Sequence, residues 1–481
     1  MTKDIKISEF LNLWKAQPEL DFVDIYIYKD VPLFLDPWAI RQSWDDFSNL
    51  CHNIISDYFE SLLKKIRNWD KSWAMDMLSW LWEPQETHLW LSKDWFSWSW
   101  IWPDKARLIF EKLSESEAVK TWFLNDLEDT ALMIEWIKED NISDIVTNLL
   151  RFQLIKYTQE QCKMHSIELR KLPTWYYWNN SNEQWETSSE DMLVIEWKKI
   201  ILVPKFFVRK TLTIDFQQYY NFDVLEFEQA LHLDAWSSLC KTLRNWKRKP
   251  PSKNALKEYH PENKKQYVYE FTKKNPKVLE DFKKKKSDLN TIISSIEIDD
   301  SVNEKEIIEN IITKLSLLWT WKSEAYEYEK IVWSILEIVF YPYLFSPKIH
   351  YKIIDWLKII DICYENSANV WFFNDITKAK IACRKIYFEC KNYSWDIKNP
   401  ELDQLNWRFS DKVTEIWFIV CRNINNKSDY EKRVNFYTKQ QHYIISLEDG
   451  DLINLLSFKK DWKTSEIDRY LNLRLNNLIW E

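Results

Sequence analysis

The chain has 481 residues, 46% of them hydrophobic and 29% charged, which is enough for two or three packed domains at roughly 150 residues each. The N-terminus lacks the apolar core of a signal peptide, and the longest apolar stretch, residues 331–345, contains Glu337 and is too short to span a bilayer. With a net charge of −8 and seven cysteines that form no CxxC pair, the composition predicts a soluble, cytoplasmic protein with no membrane partner, no zinc ribbon and no disulfide framework.

Glycine and tryptophan have unusual frequencies in this sequence. There is one glycine, Gly450, and there are thirty tryptophans, whereas glycine normally supplies about 7% of residues. Many of the tryptophans lie among turn-forming residues, as in residues 94–103, where glycine is usual because turns require positive φ. We hypothesise an alternative genetic code in which UGA encodes glycine, so that most of these tryptophans are glycines. Four tryptophans in aromatic or apolar surroundings are candidates for genuine tryptophan: Trp178, Trp185, Trp333 and Trp480.

The alternative takes every tryptophan literally, as an aromatic platform that stacks single-stranded bases or sugars. Thirty such residues would create large exposed apolar patches and promote aggregation. The gene's codons at Trp95, Trp98 and Trp100 distinguish the two interpretations.

Residues 1–235 are predicted to form an N-terminal α+β domain of unknown role. Residues 22–28 alternate apolar and polar side chains in the manner of a strand, residues 31–35 indicate a second strand, and residues 47–66 have helical periodicity. The tryptophan-dense segment 69–102 is interpreted as a loop, either structural or ligand-binding.

A β-hairpin is predicted towards the end of this domain. Its strands are residues 192–195 and 200–203, and the connection Glu196-Trp197-Lys198-Lys199 is a place where glycine is expected.

Residues 236–316 are predicted to be a basic helical connector. Residues 241–286 contain sixteen Lys and Arg against five Asp and Glu, a concentration of charge typical of contacts with a phosphate backbone. Lys247, Arg248 and Lys249 are candidate nucleic-acid-binding residues in this block. A solvated helix face or a linker is the alternative interpretation.

Residues 317–481 have a regular pattern that predicts a third domain. Its order is helix, three strands, helix, strand, an αβββαβ core, followed by a further helix and strand. The predicted elements are a helix at 324–340 capped by Ser323, strands at 351–354, 357–364 and 385–390, a helix at 400–409, a strand at 416–421, a helix at 429–440 and a strand at 443–447.

Two acids and a lysine in this domain suggest hydrolysis of a phosphodiester. Asp361 lies inside one apolar strand, Glu389 lies near the end of the next, and strand alternation places Lys391 on the same face as Glu389. Converging carboxylates can hold the divalent cation that neutralises a scissile phosphate and lowers the pKa of an attacking water. Magnesium is the natural ion for such ligands, with manganese as a substitute. Lys391 can orient or deprotonate the water, or stabilise the transition state.

These residues resemble those of the PD-(D/E)xK, restriction-endonuclease-like family, in the branch of Mrr-like and resolvase-like enzymes. The matching positions are Asp361, the run Glu389-Cys390-Lys391-Asn392-Tyr393, and residues 403–408. The resemblance implies a metal site at Asp361 and Glu389, and it is silent on residues 1–316. Ile360 departs from the usual proline before the first aspartate.

The resemblance also implies roles for residues outside the two strands. The helix acid of the family maps to Glu329, less clearly to Glu327, and Gln404 joins the catalytic group. Arg408 and Asn392 map to nucleic-acid-binding positions.

We therefore expect a magnesium-dependent endodeoxyribonuclease, with a role in restriction or defence by analogy with the family. The alternatives are a nucleic-acid-binding protein with an inactive nuclease fold, and an RNA nuclease or repair resolvase. Assembly as a homodimer is left open by the sequence.

Overall fold

The computed structural model of the chain describes residues 4–43, 45–89, 102–121, 124, 126–135, 137–235, 237–242, 248–288, 293–352, 359–368, 370–393, 396–406 and 413–480. The predictions that fall on residues 90–101, on Lys247, on residues 353–358 and on residues 407–409, Arg408 among them, lie outside these residues. Within them, helices and small sheets alternate along the chain, which confirms the α+β class.

The helices of the first part of the chain surround one apolar core. The longest are amphipathic and begin after polar residues; the Asp45 side chain, for example, accepts hydrogen bonds from the N–H groups of Phe47 and Ser48 at the start of α3. In chain order these helices are α1 (Ile7–Phe10), α2 (Pro37–Gln42), α3 (Asp46–Arg67), α4 (Lys71–Ser79), α5 (Trp102–Glu115), α6 (Glu117–Lys120), α7 (Thr130–Met133), α8 (Glu139–Met164), α9 (Phe216–Gln218) and α10 (Leu225–Asp234).

The strands of the same region are short and form separate small sheets. They are β1 (Phe34–Leu35), β2 (Arg170–Pro173), β3 (Tyr177–Asn179), β4 (Gln184–Glu186), β5 (Ser189–Ile195), β6 (Lys198–Ile200) and β7 (Val208–Arg209). Strands β5 and β6 pair antiparallel through Leu193 and Ile200, so a hairpin is present here. Its second strand is residues 198–200 rather than the predicted 200–203, because the turn consists of Glu196 and Trp197 alone.

The strand predicted at residues 22–28 is wrong. This buried segment makes only isolated bridges, Phe22 with Pro204 and Tyr26 with Lys6. Proline has no N–H to donate to a ladder, and the Gln17 side chain bonds the segment's backbone instead, at Phe22 O and Asp24 N.

The basic region contributes to two different cores. It contains the hairpin β8 (Lys241–Thr242) and β9 (Arg248–Lys249), followed by α11 (Lys253–Tyr259), α12 (Lys264–Lys274), α13 (Pro276–Asp288), α14 (Ser295–Ile298) and α15 (Glu304–Leu317). Helices α11 to α14 add buried residues to the first core, whereas α15 packs into the core of the last domain.

A five-stranded sheet organises the last part of the chain. Its strands are β10 (Leu344–Lys352), β11 (Ile359–Asn366), β12 (Lys385–Lys391), β13 (Ile416–Cys421) and β14 (Tyr443–Glu448), hydrogen-bonded in that order. The pairs β10·β11 and β11·β12 are antiparallel, and the pairs β12·β13 and β13·β14 are parallel.

Helices cover both faces of this sheet. Helix α16 (Ala325–Phe340) precedes it; α17 (Trp371–Lys378), α18 (Asn399–Asn406) and α19 (Lys427–Thr438) connect its strands; α20 (Asp449–Lys460) and α21 (Thr464–Trp480) follow it. Every residue of β13 is buried, as expected of a parallel strand covered on two sides. Helix α16 begins one residue later than predicted, and Ser323 is not its cap, since Glu324 stands at the N-cap position.

None of the helices in the described ranges combines the length and the apolar character that crossing a membrane requires.

Candidate active site

The sheet brings Asp361 and Glu389 together at one place. Ile362 on β11 lies opposite Phe388 on β12. Because the strands are antiparallel, Asp361, one residue before Ile362, lies next to Glu389, one residue after Phe388. Asp361 Oδ2 accepts a hydrogen bond of 2.8 Å from the backbone N–H of Cys390. This bond fixes the Asp361 carboxylate against the strand that carries the other two predicted site residues.

Lys391 lies on the same side of β12 as Glu389, as the strand alternation predicts. Its Nζ donates to Glu389 Oε1 over 2.8 Å, and the two side chains are 13% and 5% exposed. The Lys391 ammonium is therefore largely buried and lies beside two carboxyl groups.

Burial and neighbouring charge shift the pKa values of two of these groups. Desolvation, followed by the negative charge of Glu389, raises the pKa of Asp361 to about 7, although the Cys390 hydrogen bond and Lys391 act in the opposite direction. For Lys391, burial lowers the pKa, but attraction to Glu389 and Asp361 outweighs burial and the net pKa is raised. The lysine is therefore a cation near neutral pH, and Asp361 is poised between its two forms.

Glu329 on α16 belongs to the same electrostatic cluster. Its Oε1 lies 3.0 Å from Nε2 of His350, a residue of β10. Burial raises the pKa of Glu329, His350 lowers it, and Glu389 raises it again, so the helix acid lies near the strand acids. The contact with His350 was not predicted from the sequence, because it depends on how α16 lies across β10.

Asn392 supports a loop next to the cluster. Its Nδ2 donates to the backbone oxygens of Trp319 and Trp321, at 3.1 Å each, and the side chain is 6% exposed. Arg422, which follows β13, donates to Leu318 O over 2.9 Å. Two side chains from the strand ends thus hold the segment 318–321 beside Lys391, an arrangement with no signal in the sequence.

The remaining predicted residues are distributed over the surface. Gln404 on α18 is exposed, and among the described residues no hydrogen bond joins it to the carboxylates. Arg248 Nη2 donates to Ser237 O over 2.8 Å, and Lys249 is exposed on β9.

The donors at the site fit a hard divalent cation. Among the described residues, no group of three or more His, Cys, Asp and Glu side chains is arranged to hold a metal ion. Magnesium, however, usually binds proteins through one or two carboxylates and takes its other ligands from water and substrate phosphates. Asp361 and Glu389 supply such a pair. Burial and then the nearby charge of Glu389 raise the pKa of Asp361, and a bound dication would favour its ionised form.

A family match covers the N-terminal part of the chain. Residues 12–215 are similar to a family described as Domain of unknown function (DUF8370), a match that covers less than half of the chain and ends before the candidate site. No curated protein and no solved structure matches the sequence.

The Asp361→Asn variant tests the electrostatics of the site. An acid whose folded-state pKa is raised to about 7 contributes stability below its unfolded pKa and loses it as pH rises through the folded value. We expect metal-free wild type to lose stability relative to Asp361→Asn between about pH 4, near the unfolded pKa, and about pH 7, the folded value. Urea unfolding of both proteins in chelator measures this difference. A constant difference across this range would contradict the raised pKa.

Proposed function

We propose that this protein is a metal-dependent nuclease of the PD-(D/E)xK type that hydrolyses phosphodiester bonds in DNA, with magnesium as its ion and a role in restriction or defence. One observation carries the proposal: Lys391 Nζ lies 2.8 Å from Glu389 Oε1, and the Asp361 carboxylate is fixed to the same strand through the Cys390 N–H. Two acids and one lysine at adjoining strand positions are the groups that this chemistry needs.

Each side chain has a separate task in the proposed reaction. Asp361 and Glu389 would hold the magnesium, which when bound lowers the pKa of water and neutralises the scissile phosphate. Lys391, charged near neutral pH, donates hydrogen bonds to the attacking water and to the phosphate oxygens as negative charge develops. Glu329, placed near both acids, accepts a hydrogen bond from water at the site and contributes further negative charge.

The basic region offers the nucleic acid a second, positively charged surface. Its exposed lysines include Lys249 on β9 and Lys273, Lys274 and Lys277 at the junction of α12 and α13. Such residues attract the phosphate backbone without reading its sequence. Binding is therefore expected to weaken as salt is raised.

Cleavage of plasmid DNA with magnesium tests the proposal. We expect Glu389→Ala and Lys391→Ala each to lower the rate by about 10²–10⁴-fold, the usual contribution of a positioned acid–base group. Lys378→Ala is the control, because Lys378 is an exposed lysine of α17 whose side chain is 69% accessible. It removes the same charge from the same domain and should leave the rate unchanged.

The other outcomes separate the alternatives. Cleavage of RNA but not DNA would make the protein a ribonuclease. Binding of DNA that survives Lys391→Ala, with no cleavage by wild type under any divalent ion, would identify a binding protein and end the nuclease proposal.

A further inference from the structure

The N-terminal part of the chain contacts the helix that carries Glu329. Lys15 Nζ donates to Ser334 Oγ on α16 over 2.7 Å, and it lies 4.4 Å from the centre of the Trp333 ring. His165, which follows α8, stacks on the Trp333 ring with centroids 5.0 Å apart. Helix α16 is therefore held from the N-terminal side as well as by its own domain.

A fully buried ion pair also joins α16 to the N-terminal part of the chain. Lys205 Nζ lies 2.8 Å from Glu337 Oε2, and the two side chains are 0% and 1% exposed. Lys205 belongs to the N-terminal core, where its backbone N–H donates to Asp21 O over 2.8 Å. Its ammonium also lies 4.1 Å from the centre of the Tyr341 ring, just after α16 ends.

A second acid lies in the same buried cluster. The Asp21 carboxylate accepts hydrogen bonds from the Tyr157 hydroxyl over 2.7 Å and from the Ser346 N–H over 3.3 Å. Ser346 is part of β10, so Asp21 joins the N-terminal core to the catalytic sheet. One lysine and two acids thus connect both halves of the chain without contact with water.

Energetics indicate that such a cluster serves geometry rather than stability. Removing both charges of a buried pair from water costs several kcal/mol per ion. Replacing such a pair by apolar residues of similar size is often neutral, or stabilises the protein by about 1–4 kcal/mol. The pair instead fixes the relative position of the two segments that carry it, because a buried charge is stabilised only close to its partner. Lys205 therefore defines both the rotation and the axial position of the helix that carries Glu337.

Glu329 lies on the same side of α16 as Trp333 and Glu337, the two residues that contact Lys15, His165 and Lys205. Glu329, Trp333 and Glu337 are separated by four residues each, which places them in one row along the helix, with about 12 Å between the first and the last. Trp333 and the neighbouring positions Val332 and Leu336 also pack into the core of the last domain, so the helix is in contact on this side with both parts of the chain. A shift of α16 at Glu337 would therefore move Glu329 relative to the sheet.

We infer that Lys205 and Glu337 are positioning residues for the active site. They hold α16 so that Glu329 stays beside the strand acids, and they give the segment 12–215 a role in arranging the catalytic centre. The inference rests on the proposed nuclease function for its catalytic meaning, but not for its structural content.

The test is the double variant Lys205→Met with Glu337→Met, which replaces the pair by apolar side chains of similar length. Hydrogen exchange of residues 325–333 should become faster, and calorimetric Mn²⁺ affinity should fall by about 10-fold, the lower end of effects from residues that orient metal ligands. For cleavage, kcat should fall while KM for DNA stays unchanged. The control is Lys385→Met with Glu365→Met, a buried pair of 3.0 Å in the same sheet that does not involve α16.

The outcomes separate this inference from the nuclease proposal. Wild-type hydrogen exchange and wild-type Mn²⁺ affinity in the first double variant, or equal losses in the control, would overturn the positioning role. If wild type cleaves no nucleic acid but the variant alone exchanges faster in α16 and binds Mn²⁺ more weakly, the positioning role stands and the nuclease proposal fails. If wild type binds no Mn²⁺ at all, hydrogen exchange of α16 decides the positioning role.

Discussion

Replacing four exposed tryptophans by glycine is expected to stabilise the protein by about 4 kcal/mol, because L-residues pay roughly 1–2 kcal/mol each in the left-handed region and distant sites add. The four are Trp14, Trp69, Trp197 and Trp462, with φ of 54°, 60°, 69° and 60°. Their side chains are 64–91% exposed, so the substitutions remove little packing.

Two of these tryptophans occupy the position where a helix most often ends in glycine. After α3, the Trp69 N–H donates to Ile66 O and the Asp70 N–H donates to Lys65 O. After α20, the Trp462 N–H donates to Lys459 O and the Lys463 N–H donates to Phe458 O. Both patterns are Schellman motifs, whose left-handed residue is usually glycine.

Trp197 occupies an equivalent position in a hairpin. It follows Glu196, and both residues have positive φ, 45° and 69°, between the paired ends Ile195 and Lys198. A two-residue turn of this kind normally carries glycine in second place. These positions support the hypothesis that UGA encodes glycine in this gene.

Alanine at the same four positions is the matched control. It removes the indole ring but keeps the Cβ atom that causes the strain. We therefore expect urea unfolding to show a much larger increase in stability for the glycine variant than for the alanine variant. Trp333→Gly should instead destabilise the protein, since Trp333 is buried within α16. Equal stabilities for the glycine and alanine variants would contradict the explanation from backbone strain.

The sequence predicts best those elements whose signal is local. Strand β13 has the predicted bounds because Ile416–Cys421 is an unbroken apolar run, and α3 is within one residue of the prediction because its periodicity is long. Helix α17 was not predicted; its buried face is formed by Phe372, Phe373 and Ile376 alone, too few residues for a recognisable period.

The candidate site also contains contacts that a local sequence pattern predicts and contacts that it does not. The meeting of Glu389 and Lys391 follows from strand alternation and could be predicted from two residues. The contact of Glu329 with His350 and the support of the loop by Asn392 depend on packing between distant segments, which no local pattern contains. The buried pair of Lys205 and Glu337 joins residues 132 positions apart, and neither lies in a recognisable motif.

Loss of Lys205 alone is expected to have the second large effect. In Lys205→Met, Glu337 and Asp21 remain buried without their cation, and removing one partner of a buried pair costs about 3–5 kcal/mol. Glu337→Met should cost less, because Asp21 remains as an acid whose charge interacts with Lys205. The double variant with methionine at both positions should recover part of the loss, because Asp21 is then the one acid of the cluster left without its cation.

The pH dependence distinguishes this explanation from a simple packing defect. Burial and the charge of Glu337 already raise the pKa of Asp21 to about 7, and Lys205 opposes that rise, so its loss raises the pKa of Asp21 further. Acids with raised folded-state pKa values keep their stability when protonated and lose it as pH rises. The deficit of Lys205→Met in urea unfolding should therefore be small near about pH 5 and clearly larger near about pH 8. A deficit that stays the same at both values would mean that lost packing, rather than unpaired buried charge, is the cause.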